Sequence, residues 1–229
     1  AIDTAAIYQN EEAVGEAIKA SGVAREDLFI TTKVWNADQG YDNTLKAFEL
    51  SLQKLGLDYV DLYLTHWPKP QLVDTYKAIE RLYEEKLIRV PGVSNHHEHH
   101  LQQIFAEANV LPMVNQIECH PSLSQDALRA FCAEHNIAVT AWAPLGTGIV
   151  FTHPVVKQLA GKYSKSPAQI VLRWHLEIGN IVIPKSITPE RIVENLAIFD
   201  FTLQADEVAT ISALNTFHRT GSDPDNFNF

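Results

Sequence analysis

Residues 60–95 read VDLYLTHWPKPQLVDTYKAIERLYEEKLIRVPGVSN. An apolar, β-branched run at 60–64 gives way to the aromatic, proline-bearing turn His66-Trp67-Pro68. Apolar residues then recur at helical spacing over 73–85, and a second apolar run follows at 88–93. Short, largely apolar strands suit the parallel sheet of βα units, and a helix between them makes the two strands parallel neighbours. This is one βα unit followed by the strand of the next.

Working outward, the same pattern recurs. Strand candidates lie at 2–5, 28–33, 60–64, 88–93, 114–118, 139–143 and 181–183. Helical spacing occupies 11–20, 43–55, 73–85, 99–108, 125–135, 154–163, 167–176, 190–199 and 206–214. Ser124, Ser166 and Thr188 are expected N-caps, with Pro167 and Pro189 at the first helical position. Seven βα units in a chain that starts inside the first strand predict the α/β class. The expected architecture is a (β/α)8 TIM barrel, with its initial strand and some loops not represented, because an open seven-stranded sheet would leave raw edges. In such a barrel the chemistry sits at the C-terminal ends of the strands.

The chain has 229 residues, of which 46% are hydrophobic and 20% charged, and no Pro/Ser/Gly-rich linker divides it, so residues 1–229 are expected to form a single domain. A formal net charge of −10 argues against nucleic acid and anionic membrane as partners. No run reaches the roughly 18 apolar residues of a membrane span. Cys119 and Cys132 form neither a metal-ligand nor a disulfide-framework spacing, which fits a reducing cytoplasm. The chain opens at Ala1-Ile2-Asp3 with no initiator Met and no signal peptide, as a sequence without its natural beginning would.

Taken in order, the strand ends carry Asp3 and Tyr8, Lys33, His66-Trp67, Ser94-Asn95, Gln116, Trp142, and Lys185-Ser186. Each has a bland reading when it stands alone. Lys33 would be a solvated strand terminus, His66-Trp67-Pro68 a packed turn, Asp3 a turn acid, Tyr8 a wall residue and Trp142 a rim aromatic. Together they suit hydride reduction of a carbonyl, which develops negative charge on oxygen and needs a proton. A Tyr hydroxyl with an ordinary pKa of about 10 is a poor acid unless a cation favours its ionised form. Lys33 is expected to supply that cation, Asp3 to hold the ammonium, and His66 to orient the carbonyl oxygen. Lys185, Ser186 and Arg191 flank a helix start, where an anion is favoured, although a solvated face is the bland alternative. No GxGxxG follows a strand.

The segments IDTAAIY, TTKVWN, LTHWP, GVSN, NQIECHP, WAPLG and IPKSITPERIVEN, in this order and at βα intervals, resemble the signature segments of the aldo-keto reductases. The likeness is strongest to the bacterial branch similar to 2,5-diketogluconate reductases, and it runs nearly end to end. It implies NADPH-dependent reduction of a small aldehyde, ketone or keto-sugar, with Tyr8, Lys33, Asp3 and His66 in the catalytic places and Tyr8 as general acid. It also implies that Ser94, Asn95 and Gln116 hold the nicotinamide carboxamide, that Trp142 stacks on the ring, and that Leu145 and Gly146 belong to the cofactor site. By the same resemblance Lys185, Ser186 and Arg191 take the 2′-phosphate, Glu194 and Asn195 reach the adenine, and Trp35 and Trp67 line the substrate pocket. A monomer with no resident metal is expected.

The joins at 69–71 and 148–150 look short beside the family pattern, and the tail containing Asp223, Asp225 and 226–229 is expected to border the substrate pocket. The run His96, His97, Glu98, His99, His100 suggests a metal, but consecutive helical residues point in different directions, which favours a solvated helix start. Two other functions share these residues. One is a barrel that retains NADPH as a redox-sensing or regulatory subunit with little turnover. The other is an aldolase or isomerase that uses Lys33 as a Schiff-base nucleophile. The physiological substrate is not written in the sequence.

Overall fold

The computed structural model describes all residues, 1–229, and divides into two compact units. The first comprises 1–115 with 228–229 and the second 116–227, so the cut falls inside a strand.

In the first unit four strands lie side by side in chain order: β1 (Ile2–Asp3), β2 (Ile30–Val34), β3 (Val60–Thr65) and β4 (Ile88–Ser94). All three pairings are parallel, with Asp3 opposite Thr31, Lys33 opposite Leu64, and Leu64 opposite Gly92. Parallel pairing in this register brings the C-terminal ends of β1 to β4 to one edge. Helices α1 (Glu11–Ser21), α2 (Tyr41–Leu55), α3 (Leu72–Glu84) and α4 (Glu98–Phe105) alternate with them. The core is apolar and fully buried at Ile30, Leu64, Phe48, Ile79 and Leu101.

Two strands are shorter at one end than the sequence pattern suggests. β1 stops at Asp3 because Ala6–Tyr8 winds into a 3-10 turn, and β2 begins at Ile30 because Arg25–Asp27 does the same. Helices α1 and α2 pack backbone to backbone. At Gly15 a Cβ would overlap the carbonyl oxygen of Leu55, so only glycine allows the approach. One turn earlier, the buried carboxylate of Glu11 accepts a 2.6 Å hydrogen bond from the Thr32 hydroxyl of β2.

At the opposite end of β3 the fully buried carboxylate of Asp61 accepts from the Ile30 N–H at 2.8 Å and pairs with Arg25 at 2.8 Å and Arg89 at 3.0 Å. Removing Asp61 leaves the buried Ile30 N–H without its acceptor and the partly buried Arg25 without its counter-ion. Asp61→Ala is therefore expected to cost about 3 kcal/mol of stability, read as a lower urea midpoint. A loss under about 1 kcal/mol would show that the pair is solvated well enough to be dispensable.

The second unit contains the rest of β5 (Val114–Glu118), then β6 (Ala138–Trp142) and β7 (Ile181–Val182), the last two paired in parallel with Thr140 opposite Ile181. Its helices are α5 (Asp126–Glu134), α6 (Pro154–Tyr163), α7 (Pro167–Glu177), α8 (Pro189–Leu196) and α9 (Ala205–Ser212). Trp174 fills the core among Val156, Ile170, Val171 and Ile211, and its indole N–H is satisfied by Ser212 at 3.0 Å. Ser166 caps α7 in a capping box with Gln169, and Pro167 and Pro189 open their helices as expected. Thr188 occupies the N-cap position of α8, but its side chain makes no cap bond. Ser124 does not cap α5. Gln125 takes that position in a left-handed conformation (φ 55°), and the Ser124 hydroxyl donates to Asp126 at 2.8 Å.

Candidate active site

The four residues with the sharpest chemical reading all lie in the first unit. Lys33, at the end of β2, is 0% exposed; its ammonium is bonded to the Asp3 carboxylate at the end of β1 and donates to the Thr4 carbonyl at 2.9 Å. The same ammonium lies 5.2 Å from the centre of the Tyr8 ring. The His66 ring, after β3, meets Tyr8 edge to face at 5.7 Å and Trp35 at 5.3 Å. Phenol, ammonium, carboxylate and imidazole are thus assembled at one edge of the sheet. They are joined by the Lys33–Asp3 bond and by ring contacts, and the Tyr8 ring is half exposed.

The electrostatics differ from the sequence expectation in one respect. Lys33 was expected to bring the Tyr8 phenol down. Instead Tyr8 is pushed up to about 12, first by burial and then by the charge of Asp3, which also answers the ammonium. Burial draws Lys33 below its ordinary value, and Asp3 opposes that pull. His66 is drawn down to about 3, by burial and then by Lys33, and its Nδ1 is buried without a hydrogen-bond partner. A protonated phenol and a neutral imidazole stand side by side.

Aromatic rings enclose this edge. Trp35 stacks on Phe229 at 5.9 Å with the planes 7° apart, and Trp67 meets the same ring edge-on at 5.2 Å. The Phe229 carbonyl accepts from Asn36 at 3.2 Å, and the Trp67 carbonyl from Gln39 at 2.7 Å. Thr4, inside IDTAAIY, was not singled out in the sequence. Phe229 belongs to the tail 226–229 that the resemblance places at the border of the substrate pocket, but its partners Trp35 and Trp67 were not foreseen. Ser94, the last residue of β4, and Asn95 after it are buried; Asn95 is held at φ 64° and donates to the His66 carbonyl at 3.0 Å and to the Ser94 hydroxyl at 3.2 Å.

In the second unit Gln116 is buried on β5, and Trp142 ends β6 half-buried. Gly146 lies under the His120 ring, where a Cβ would come within 2.8 Å of Cγ, and it adopts φ 50°. Leu145, partly buried, packs against the Trp174 core. Lys185 and Arg191 are exposed, and Ser186 is half-buried with its hydroxyl accepting from the Thr188 N–H at 3.1 Å. Lys185 and Ser186 precede α8 and Arg191 lies in its first turn; Thr188 makes no side-chain cap bond there, and the Arg191 N–H donates to the Thr188 carbonyl at 3.1 Å. Glu194 and Asn195 are half-buried on α8, and the Glu194 carbonyl accepts from Gln169 at 3.1 Å.

The histidine run resolves differently from the expectation that neighbouring rings diverge. His99 and His100 approach to 3.9 Å and His97 lies 6.0 Å from His100, because His97 is the N-cap of α4 and its ring folds over the first turn. The rings of His97 and His100 each accept a backbone N–H of the other in a capping box, which leaves the ring proton on the far nitrogen. His96 is buried apart from them, bonded to the Ser94 carbonyl at 2.8 Å.

Three buried imidazoles make stability depend on pH. His66, His96 and His175 are each drawn down to about 3, with burial the leading cause. Between about 3 and 6.5 the unfolded chain binds protons that the folded chain refuses, so stability falls as pH falls through this window. Each contributes a slope of about 1.4 kcal/mol per pH unit inside it. The urea midpoint is expected to drop steadily from about pH 7 to about pH 5, and less steeply in His96→Asn. An unchanged midpoint over that range would show these imidazoles to be protonated in the fold.

Comparison with known proteins gives concordant results. The family model described as Aldo/keto reductase family matches residues 1–216. The chain is 53% identical over 230 residues to a 9,11-endoperoxide prostaglandin H2 reductase of Trypanosoma cruzi, covering 99% of this chain and 81% of the relative. It is 53% identical over 229 residues to a glyoxal reductase of Bacillus subtilis, covering 100% of this chain and 83% of the relative. That alignment, as long as the chain itself, leaves no room for loop-sized insertions at 69–71 or 148–150. Both joins therefore have the length found in this relative. A crystal structure of a Gox0644 variant in complex with NADPH superposes with a TM-score of 0.94 at 44% identity, covering 99% of this chain and 84% of that one. Likeness over the whole chain at this identity shows the fold class, the α/β barrel expected from the sequence. No helix is long and apolar enough to cross a membrane.

Proposed function

Since the chain belongs to the aldo/keto reductase family, we propose that it reduces small aldehydes and ketones, dicarbonyls such as glyoxal among them, at the expense of NADPH. The observation that carries this reading is the buried Lys33–Asp3 pair beside the Tyr8 and His66 rings. An ammonium held by a carboxylate, a phenol and a neutral imidazole are what a carbonyl oxygen accepting a hydride needs around it.

The residues present fit the cofactor. Trp142 offers a half-buried indole, Gly146 keeps a side chain out of the loop after β6, and exposed Lys185 and Arg191 lie on either side of the Thr188-Pro189 start of α8, with Ser186 between them in sequence. Trp142 would stack on the nicotinamide, Ser94, Asn95 and Gln116 would hold its carboxamide, Lys185, Ser186 and Arg191 the 2′-phosphate, and Glu194 and Asn195 the adenine. When bound, NADPH supplies the hydride.

The remaining work falls to the chain. Tyr8 stays protonated up to about 12 and gives its proton to the substrate oxygen as charge develops there. Lys33 holds a positive field beside that phenol. His66, neutral because burial forbids its charge, donates a hydrogen bond that orients the carbonyl. Trp35, Trp67 and Phe229 exclude water and pack the carbon skeleton. The engagement of Lys33 with Asp3 and the Thr4 carbonyl suits a fixed ammonium better than the neutral amine of a Schiff-base nucleophile.

Purified protein is expected to consume NADPH in the presence of glyoxal and to leave it intact without a carbonyl. Binding of NADPH without turnover of glyoxal or any other aldehyde or ketone in a broad panel would reject this reading in favour of a cofactor-holding subunit.

A further inference from the structure

Glu118 ends β5 and takes no part in the carbonyl chemistry, yet its carboxylate is 1% exposed and surrounded by donors. Its Oε1 accepts from the Thr220 N–H at 2.5 Å, the Thr220 hydroxyl at 2.6 Å and the Gly221 N–H at 3.2 Å, and lies 3.1 Å from His120 Nε2. Its Oε2 accepts from the Gly221 N–H at 3.3 Å and lies 3.9 Å from Arg219. Burial alone would raise this carboxyl, but the bonds from His120 and Thr220 hold it below its ordinary value. A buried carboxylate is tolerated only when its lone pairs are satisfied. Here they are satisfied largely by one short segment, Arg219, Thr220 and Gly221, 101 to 103 positions further along the chain. The N–H groups of Thr216 and His218 tie the same segment to the Ser122 carbonyl, at 3.2 and 3.0 Å.

The anchored segment lies against the candidate nicotinamide platform. A Cβ on Gly221 would overlap Cη2 of Trp142 and would lie 3.1 Å from Cζ3, so bare backbone is pressed onto the indole. On its other side Glu118 holds His120, whose ring bears on Gly146 and whose Nδ1 is buried without a partner. One carboxylate thus fixes the neighbours of both Trp142 and Gly146.

We propose that Glu118 is a positioning residue for the cofactor: by clamping Arg219–Gly221 and His120 it sets the plane of Trp142 and the path of the chain at Gly146, and so sets the affinity for NADPH. This rests on the reading that Trp142 stacks on the nicotinamide. It assigns the segment 219–221 a task in cofactor binding in addition to any in substrate selection.

The test is calorimetric titration of NADPH into wild type, Glu118→Gln, Gly221→Ala, Thr220→Ser, Trp142→Ala and the double variant Gly221→Ala with Trp142→Ala, with an unfolding midpoint for each. Glu118→Gln and Gly221→Ala are expected to weaken NADPH binding about tenfold, the scale of one stacking contact, with kcat at saturating NADPH far less affected than the KM for NADPH. Thr220→Ser keeps both donors and should bind as wild type does. In the Trp142→Ala background the Gly221→Ala change should have no further effect, because its only route to the cofactor is gone. Lower midpoints with unchanged NADPH affinity would overturn the proposal and leave Glu118 as a structural latch. If Glu118→Gln does not fold, Gly221→Ala alone decides. Wild-type affinity in Trp142→Ala would reject the stacking reading and with it the proposal. Weak binding in Trp142→Ala alone would reject only the role of Glu118.

Discussion

Tyr8→Phe is expected to lower kcat for carbonyl reduction by about 10²–10⁴-fold, the range of a lost general acid, while NADPH binds as before. The substitution removes one oxygen and keeps the ring, so the edge contact with His66 at 5.7 Å and the Lys33 ammonium at 5.2 Å from the ring centre both persist. No other group beside Tyr8 can replace the proton: His66 is neutral down to about 3, and Lys33 is committed to Asp3 and Thr4. The same electrostatics fix the pH profile. A phenol held at about 12 is protonated throughout the working range, so reduction should show no alkaline limb from Tyr8, whereas the reverse oxidation of an alcohol needs the phenolate and should accelerate as pH rises. Steady-state rates in both directions, with titration of NADPH, check this. A Tyr8→Phe variant within tenfold of wild type would remove Tyr8 from the mechanism.

Lys33→Met should reduce kcat by at least about 10²-fold, the scale of one lost electrostatic donor, through a different route. Methionine fills the same buried space without charge, so Asp3 loses its counter-ion while its carboxylate continues to raise the Tyr8 phenol. The proton becomes harder to release at the moment the oxygen needs it. The alcohol-oxidation limb should therefore move to higher pH in this variant as well as fall in height. Removing both charges with Asp3→Asn and Lys33→Met should recover less than tenfold, because the phenol then lacks a cation altogether. An unshifted limb in Lys33→Met would mean that the ammonium serves the fold and not the proton.

The alternation of elements was legible because short apolar runs and helical spacing differ over a few residues, and all seven strands and nine helices fall where that difference places them. The errors lie at the ends. A 3-10 turn at Ala6–Tyr8 and another at Arg25–Asp27 trim β1 and β2, and the left-handed Gln125 takes the cap that Ser124 was expected to provide. The candidate catalytic residues were legible as ordered segments, since each sits at a strand end. Their electrostatics were not, because Asp3 acts on Tyr8 and Lys33 at once and only burial and distance decide which effect prevails. Partners far apart in sequence left no local trace: the stacking of Phe229 on Trp35 and the saturation of Glu118 by Thr220 and Gly221 follow no spacing rule.

The backbone contact at Gly15 limits how α1 can vary. Any larger residue there would lever α1 away from α2, and α1 carries Glu11, whose carboxylate grips Thr32 immediately before Lys33. Residue 15 is thus mechanically in series with the buried ammonium although it touches no reacting group. A mutagenesis library that treats the outer helices as neutral ground should find this one position intolerant, and its survivors should carry second changes near Leu55 that reopen the gap.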